Sequence, residues 1–146
     1  MRNWKSLSIV KMRADEVDES KIFWKNTIST DLSGAEGYAV LKNQKTCCYF
    51  FVSVHGNYIN VSFLLNNLLF NASLIQAICK YIFEHWPTSH KIVLYLLQND
   101  RYGCYLAKAA GFRQEVVFRE HYRLKDKKVN CIVFSCFNTR QEMIVP

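Results

Sequence analysis

Alternating apolar and polar residues near the start of the chain predict a strand followed by a helix. Residues 7–12 alternate weakly between the two classes, which is typical of a strand. An acidic stretch beginning at Asp15 comes next, and carboxylates stabilise the first turn of a helix. We therefore predict a helix over residues 16–28, with Val17 and Trp24 on its apolar side.

Three apolar runs then follow one another, at residues 38–41, 46–54 and 58–65, separated by short polar breaks. Breaks of this length join antiparallel neighbours, so the runs predict a three-stranded meander. The second and third runs are apolar at both odd and even positions. Strands of that kind are covered on both faces, and we expect helices above and below the sheet.

A long helix and a further buried strand continue the pattern. Apolar residues spaced four apart predict a helix over residues 68–86, which Pro87 ends. Residues 91–97 form another apolar run. The order strand, long helix, strand is that of a crossover unit, so we expect the strand at 58–65 to pair in parallel with the strand at 91–97.

The remaining part of the chain predicts one short helix and two more strands. The helix covers residues 100–110 and stops at Gly111, and the strands cover residues 114–123 and 129–138. The fold class is therefore α/β (α+β): a mixed, mostly antiparallel sheet of about seven strands with helices on both faces. The length fits one domain over residues 1–146.

Composition removes several classes of protein. Half of the residues are apolar and 21% are charged, which is typical of a globular chain. No apolar run reaches the roughly 18 residues of a membrane span, and the start lacks the features of a secretory signal. The six cysteines lie in strand-like or helix-like runs without zinc-binding spacing. We predict a cytoplasmic protein with free thiols, no metal and no membrane association.

The formal charge of +7 indicates an anionic partner. Nucleic acid, a phosphorylated cofactor and an acidic protein all carry the required charge. The aromatic residues are embedded in apolar runs rather than interleaved with arginine and lysine, as base-stacking surfaces require. Nucleic acid is therefore not the expected partner.

The last third of the chain combines a short helix ending in Gly111-Phe112, then Glu115, then Arg119-Glu120 before a basic turn and a final strand. This pattern resembles the GNAT superfamily of acyl-CoA N-acyltransferases, and is nearest to the branch that acetylates the N-termini of ribosomal proteins. The resemblance implies transfer of an acyl group from acetyl-CoA, or another acyl-CoA, to the primary amine of a small molecule or protein. Monomer and homodimer both remain open.

The same resemblance implies where acyl-CoA binds. Its pantetheine arm would lie between the strands at 58–65 and 91–97, and a backbone amide near the end of the first strand would polarise the thioester carbonyl. Its cofactor-binding residues would be Phe63, Leu64, Leu65, Asn66, Asn67, Leu68, Leu69, Phe70, Asn71, Ala72, Asn99 and Gly103. The family places two glycines in this loop so that backbone amides can approach the pyrophosphate. Leu69 and Asn71 stand at those positions here, which predicts weakened or rearranged cofactor binding.

The family's catalytic tyrosine, which protonates the departing thiolate, also has no direct counterpart, because Ala107 occupies its position. Cys104 and Tyr102 are the remaining candidates on that short helix. The missing glycines and tyrosine keep a second interpretation open, a catalytically silent GNAT-like binding or interaction module. A nucleic-acid-binding domain is a third alternative, supported by charge alone.

Overall fold

Eight strands form one mixed sheet in the computed structural model, which describes residues 7–26, 34–66 and 71–139. The strands are β1 (Leu7–Met12), β2 (Trp24–Lys25), β3 (Glu36–Lys42), β4 (Lys45–His55), β5 (Tyr58–Leu65), β6 (Lys91–Leu97), β7 (Arg113–Leu124) and β8 (Lys127–Phe137), and the helices are α1 (Asn71–His85) and α2 (Arg101–Ala109). The strand order is β1-β3-β4-β5-β6-β8-β7, with β2 paired to β5 outside that path. The predicted mixed, mostly antiparallel sheet is confirmed.

The predicted meander and crossover are present. Strands β3, β4 and β5 pair antiparallel, with Tyr38 opposite Phe50 and Phe50 opposite Phe63. Helix α1 then carries the chain to β6, which pairs in parallel with β5. The turn between β3 and β4 is a two-residue hairpin in which both Asn43 and Gln44 have positive φ, at 52° and 66°.

The predicted helix over residues 16–28 is wrong. Two single-turn 3₁₀ helices, Ala14–Glu16 and Glu19–Lys21, occupy the start of this segment, and β2 follows them. Residues 27 and 28 lie outside the described part. The apolar residues are too sparse to hold a helix on the sheet, whereas Trp24 finds an edge of β5 to pair with, opposite Leu65. Tertiary pairing has overridden the local helical pattern.

The core lies on both faces of the sheet, as expected from the doubly apolar strands. Helices α1 and α2 cover one face, where Phe50, Phe63 and Phe134 are fully buried. The other face is covered over β3 to β5 by the 3₁₀ segment, whose Val17 and Ile22 pack against a smaller cluster. Helical turns therefore lie on both sides of the sheet.

All six cysteines are free, and all lie in described residues. Cys79 on α1 and Cys136 on β8 share a hydrogen bond that lowers the pKa of Cys136 and raises that of Cys79, which burial raises further. Neither described helix has the length and apolar character needed to cross a membrane. No cluster of three potential metal ligands occurs within the described ranges.

Candidate functional site

A groove opens where β5 and β6 diverge. Their parallel ladder begins with Tyr58 opposite Lys91 and ends with Asn60 opposite Val93, although both strands continue for several residues, to Leu65 and Leu97. Beyond the last pair, backbone groups that would face each other in a continuous sheet need other hydrogen-bond partners. The divergence therefore creates a two-sided hydrogen-bonding site at the middle of the sheet.

One side chain bridges this groove. The backbone N–H of Phe63 on β5 donates to Oδ1 of Asn26 over 2.8 Å, and Nδ2 of Asn26 donates to the carbonyl oxygen of Tyr95 on β6 over 3.5 Å. Asn26 is only 4% exposed. A single carboxamide thus connects the two strands at a depth where an unpaired amide would be costly.

The backbone around Asn26 covers the rest of the β5 edge. In β2, Trp24 lies opposite Leu65 and Lys25 lies opposite Leu64. The N–H of Phe23 also donates to the carbonyl oxygen of Leu65 over 2.7 Å. Three of the predicted cofactor-binding residues, Phe63 to Leu65, are therefore engaged by the chain's own residues 23–26.

The start of α2 holds the indole of Trp24 in place. Asp100 caps the helix, with Oδ1 accepting from the N–H of Gly103 over 2.9 Å, while Oδ2 accepts from Nε1 of Trp24 over 2.9 Å. A side chain at Gly103 would begin 2.8 Å from Cζ2 of Trp24 and 2.6 Å from Oδ2 of Asp100. The glycine predicted to face a cofactor therefore makes room for an indole.

Tyr102 connects α1 with the segment that fills the groove. Its hydroxyl oxygen accepts a hydrogen bond from Nδ2 of Asn71, the first residue of α1, over 2.8 Å. Its ring meets Phe23 and Trp24 edge to face, with centroid distances of 5.8 and 6.0 Å. The structure brings this catalytic candidate next to the groove, with residues 23–26 against it.

The other candidates on and before α2 have different surroundings. Cys104 donates its thiol to the carbonyl oxygen of Leu97 over 3.8 Å, and burial followed by the charge of Asp100 raises its pKa. Ala107 is 1% exposed within the main core and carries no proton to give. Asn99 is exposed in the turn before α2.

The predicted phosphate loop is only partly described. Asn66 directs its backbone N–H to Cys47 and its Nδ2 to Thr46, both over 3.1 Å to carbonyl oxygens, so these donors stabilise the sheet. Ala72 is half-buried in the first turn of α1 and packs against the core. Residues 67–70, which include the predicted Asn67, Leu68, Leu69 and Phe70, lie outside the described part.

The groove does not fit acyl-CoA in this arrangement. An extended pantetheine arm would need the β5 edge from Phe63 to Leu65, where β2 and Asn26 already use the backbone. The arm and residues 23–26 cannot occupy the same edge.

Sequence reasoning missed three residues of this site. Asp100 could have been recognised as a helix cap, because it stands immediately before the short helix. The local pattern predicts Trp24 in a helix, whereas it lies in β2. Asn26 gave no signal, since nothing in the pattern relates it to Phe63 or Tyr95, which are distant in sequence.

Two features identify the architecture: the order of the elements, and the divergence of the parallel strands β5 and β6 in the middle of the sheet. The chain has the GNAT N-acetyltransferase fold. The spermidine/spermine N-acetyltransferase SpeG of Vibrio cholerae, in complex with manganese ions, superposes with a TM-score of 0.73 at 12% identity, over 97% of this chain and 98% of that one.

Two further solved structures show the same likeness. SpeG of Vibrio cholerae in complex with CoA and spermine has a TM-score of 0.64 and 15% identity, over 73% of this chain and 68% of that chain. A GNAT-family acetyltransferase of Bacillus anthracis has a TM-score of 0.60 and 14% identity, over 69% and 65%. No protein-family profile and no curated protein matches the sequence. At these identities the GNAT likeness concerns the fold.

Proposed function

We propose that the protein is an N-acyltransferase that transfers the acyl group of acetyl-CoA, or another acyl-CoA, to a primary amine of a small molecule or protein. The observation that carries the proposal is the divergence of β5 and β6 after Asn60 and Val93. In the gap, the buried N–H of Phe63 and the carbonyl oxygen of Tyr95 hold the side-chain amide of Asn26 from two sides. A ligand with amides and a carbonyl along an extended arm matches these partners.

The chain's own contribution to the reaction is a backbone N–H near the end of β5, on the edge that faces the gap. It is fixed in a buried strand, so it could donate to a carbonyl oxygen on which negative charge develops without reorganising. In N-acyl transfer the amine nitrogen forms the new bond to the carbonyl carbon, and the bond from that carbon to sulfur breaks. The amine loses one proton, and the departing thiolate takes up one proton to become the thiol of CoA. The net charge of +7 favours an anionic acyl donor.

Two observations favour a second function, a silent GNAT-fold module. Ala107 supplies no proton where the resembled family has tyrosine, and residues 23–26 fill the groove. A silent module would retain the fold and bind a partner elsewhere, with no affinity for the pantetheine arm.

Calorimetric titration with acetyl-CoA separates the two functions. We expect weak saturable binding, and no comparable signal from adenosine 3′,5′-bisphosphate, which has phosphates but no pantetheine arm. Product formation should then be followed by mass spectrometry with spermidine and an unacetylated peptide as acceptors. Spermidine is included because the fold neighbour SpeG is a spermidine N-acetyltransferase. Absence of acetyl-CoA binding at millimolar concentration would favour the silent module.

A further inference from the structure

We infer that residues 23–26 are a built-in occupant of the acyl-CoA groove, and that the carboxamide of Asn26 takes the place of a ligand amide. This inference rests on the proposed function and adds its regulation. The chain would alternate between a closed state, with residues 23–26 on β5, and an open state that accepts the pantetheine arm. Acyl-CoA would bind by displacing them.

The contacts of Asn26 are those expected of a ligand. Its oxygen accepts from a strand N–H at Phe63, and its nitrogen donates to a strand carbonyl at Tyr95. An amide group of an extended molecule has the same acceptor and donor. A pantetheine arm carries two such amides, so the exchange leaves both strands with partners.

The segment is held by the short β2 ladder, by the hydrogen bonds of Asn26 and by the indole of Trp24. Strand β2 has only two residue pairs with β5, and so short a ladder has little stability of its own. The Trp24 indole is fixed by Asp100 and by the ring of Tyr102. Lys25 forms an exposed ion pair with Glu19 of the preceding 3₁₀ helix over 3.6 Å.

The surroundings of the segment are compatible with release. Phe23 is 48% exposed, and the 3₁₀ helix before it, Glu19–Lys21, has no buried residue. Local opening draws on regions with few buried contacts and short hydrogen-bonded ladders. Residues 23–26 have such a short ladder, and Phe23 and Lys25 among them are exposed, whereas β5 itself is central and paired along its other edge by β4.

The closed state lowers the apparent affinity for acyl-CoA. When only a fraction of the molecules is open, the apparent Kd rises by the inverse of that fraction. Removing the contacts of Asn26 raises the open fraction. The variant Asn26→Ala should therefore bind CoA about tenfold more tightly than the natural sequence, the equivalent of losing one or two hydrogen bonds.

The experiment is calorimetric titration of CoA into the natural protein and into Asn26→Ala. Asn138→Ala is the matched control, because Asn138 is also a buried asparagine that donates to a backbone carbonyl, that of Ser89, away from the groove. We expect the control to bind CoA as the natural protein does. Tighter binding by Asn26→Ala alone supports the inference.

Trp24→Phe provides a second variant in case Asn26→Ala does not fold. It removes the hydrogen bond to the charged Asp100 but keeps an aromatic ring, and it should tighten CoA binding at least about tenfold. Hydrogen exchange gives an independent measurement. On saturation with CoA, amides of residues 23–26 should exchange faster, while those of β5 should not.

The outcomes separate the inference from the proposed function. Equal CoA affinity in the natural protein and in both groove variants would overturn the built-in occupant and leave the N-acyltransferase proposal standing, as would unchanged exchange at residues 23–26 on CoA binding. Failure of every folded variant to bind CoA at millimolar concentration would overturn the proposed function, and the occupant with it.

Discussion

Replacing Gly103 by alanine tests whether Trp24 is packed against the start of α2. The new Cβ would lie 2.6 Å from Oδ2 of Asp100 and 2.8 Å from Cζ2 of Trp24, so at least one of these side chains must move. Alanine improves helix propensity by about 1 kcal/mol. Against this, the variant should lose the Asp100 cap, about 1 kcal/mol, and the bond between Trp24 and a charged carboxylate, about 1.5–3 kcal/mol.

The expected net loss in the free energy of unfolding is therefore about 1.5–3 kcal/mol, measured by urea denaturation at constant m-value. In a Trp24→Leu background the indole bond is already absent, and the same substitution should cost close to zero. Ala109→Gly is the control, because this exposed position of α2 reports the propensity difference without an indole contact. Stabilisation by Gly103→Ala in the natural background would refute the packing of Trp24.

Three further predictions concern other parts of the fold. Hydrogen bonds from Lys91 and Ser135 lower the pKa of Glu115. The contribution of Glu115 to stability is therefore present above the ordinary glutamate pKa and is lost as pH falls through the lowered value. Glu115→Gln should lower the free energy of unfolding by under about 1 kcal/mol at pH 7 and by nothing in strong acid, as measured by denaturation at several pH values. Gln44→Gly should raise stability by about 0.5–1 kcal/mol in thermal unfolding, because Gln44 has a φ of 66°; a loss would mean that the turn is not left-handed. Native protein should react slowly with a thiol reagent, and denatured protein should titrate six thiols without prior reduction; a lower number would reveal a disulfide.

Much of the sheet could be predicted because its residues carry local signals. The run at residues 58–65 is apolar on both faces and bounded by polar breaks, and β5 has the same limits. The helix before β6 and the glycine stop after α2 also follow from local periodicity and capping. These signals depend on neighbours along the chain, so the sequence contains them directly.

The groove could not be predicted in the same way. Trp24 belongs to a weak helical pattern, and its actual partners, Leu65 and Asp100, are selected by the surface that the rest of the chain creates. Asn26 is polar and isolated, which in a sequence indicates an exposed position, yet it is buried. The absence of the two loop glycines is visible in the sequence, whereas the pairing of β2 with β5 in the groove is not.

The position of β8 constrains the order in which the sheet can be completed during synthesis. Strand β8 follows β7 in the chain but lies between β6 and β7, with Leu94 opposite Phe134. As the chain leaves the ribosome, β6 must wait with one edge open until β8 has emerged. An open apolar edge recruits other chains. Nascent chains that stall before β8 should therefore depend on chaperones, although in the finished sheet β8 pairs with β6 along its whole length.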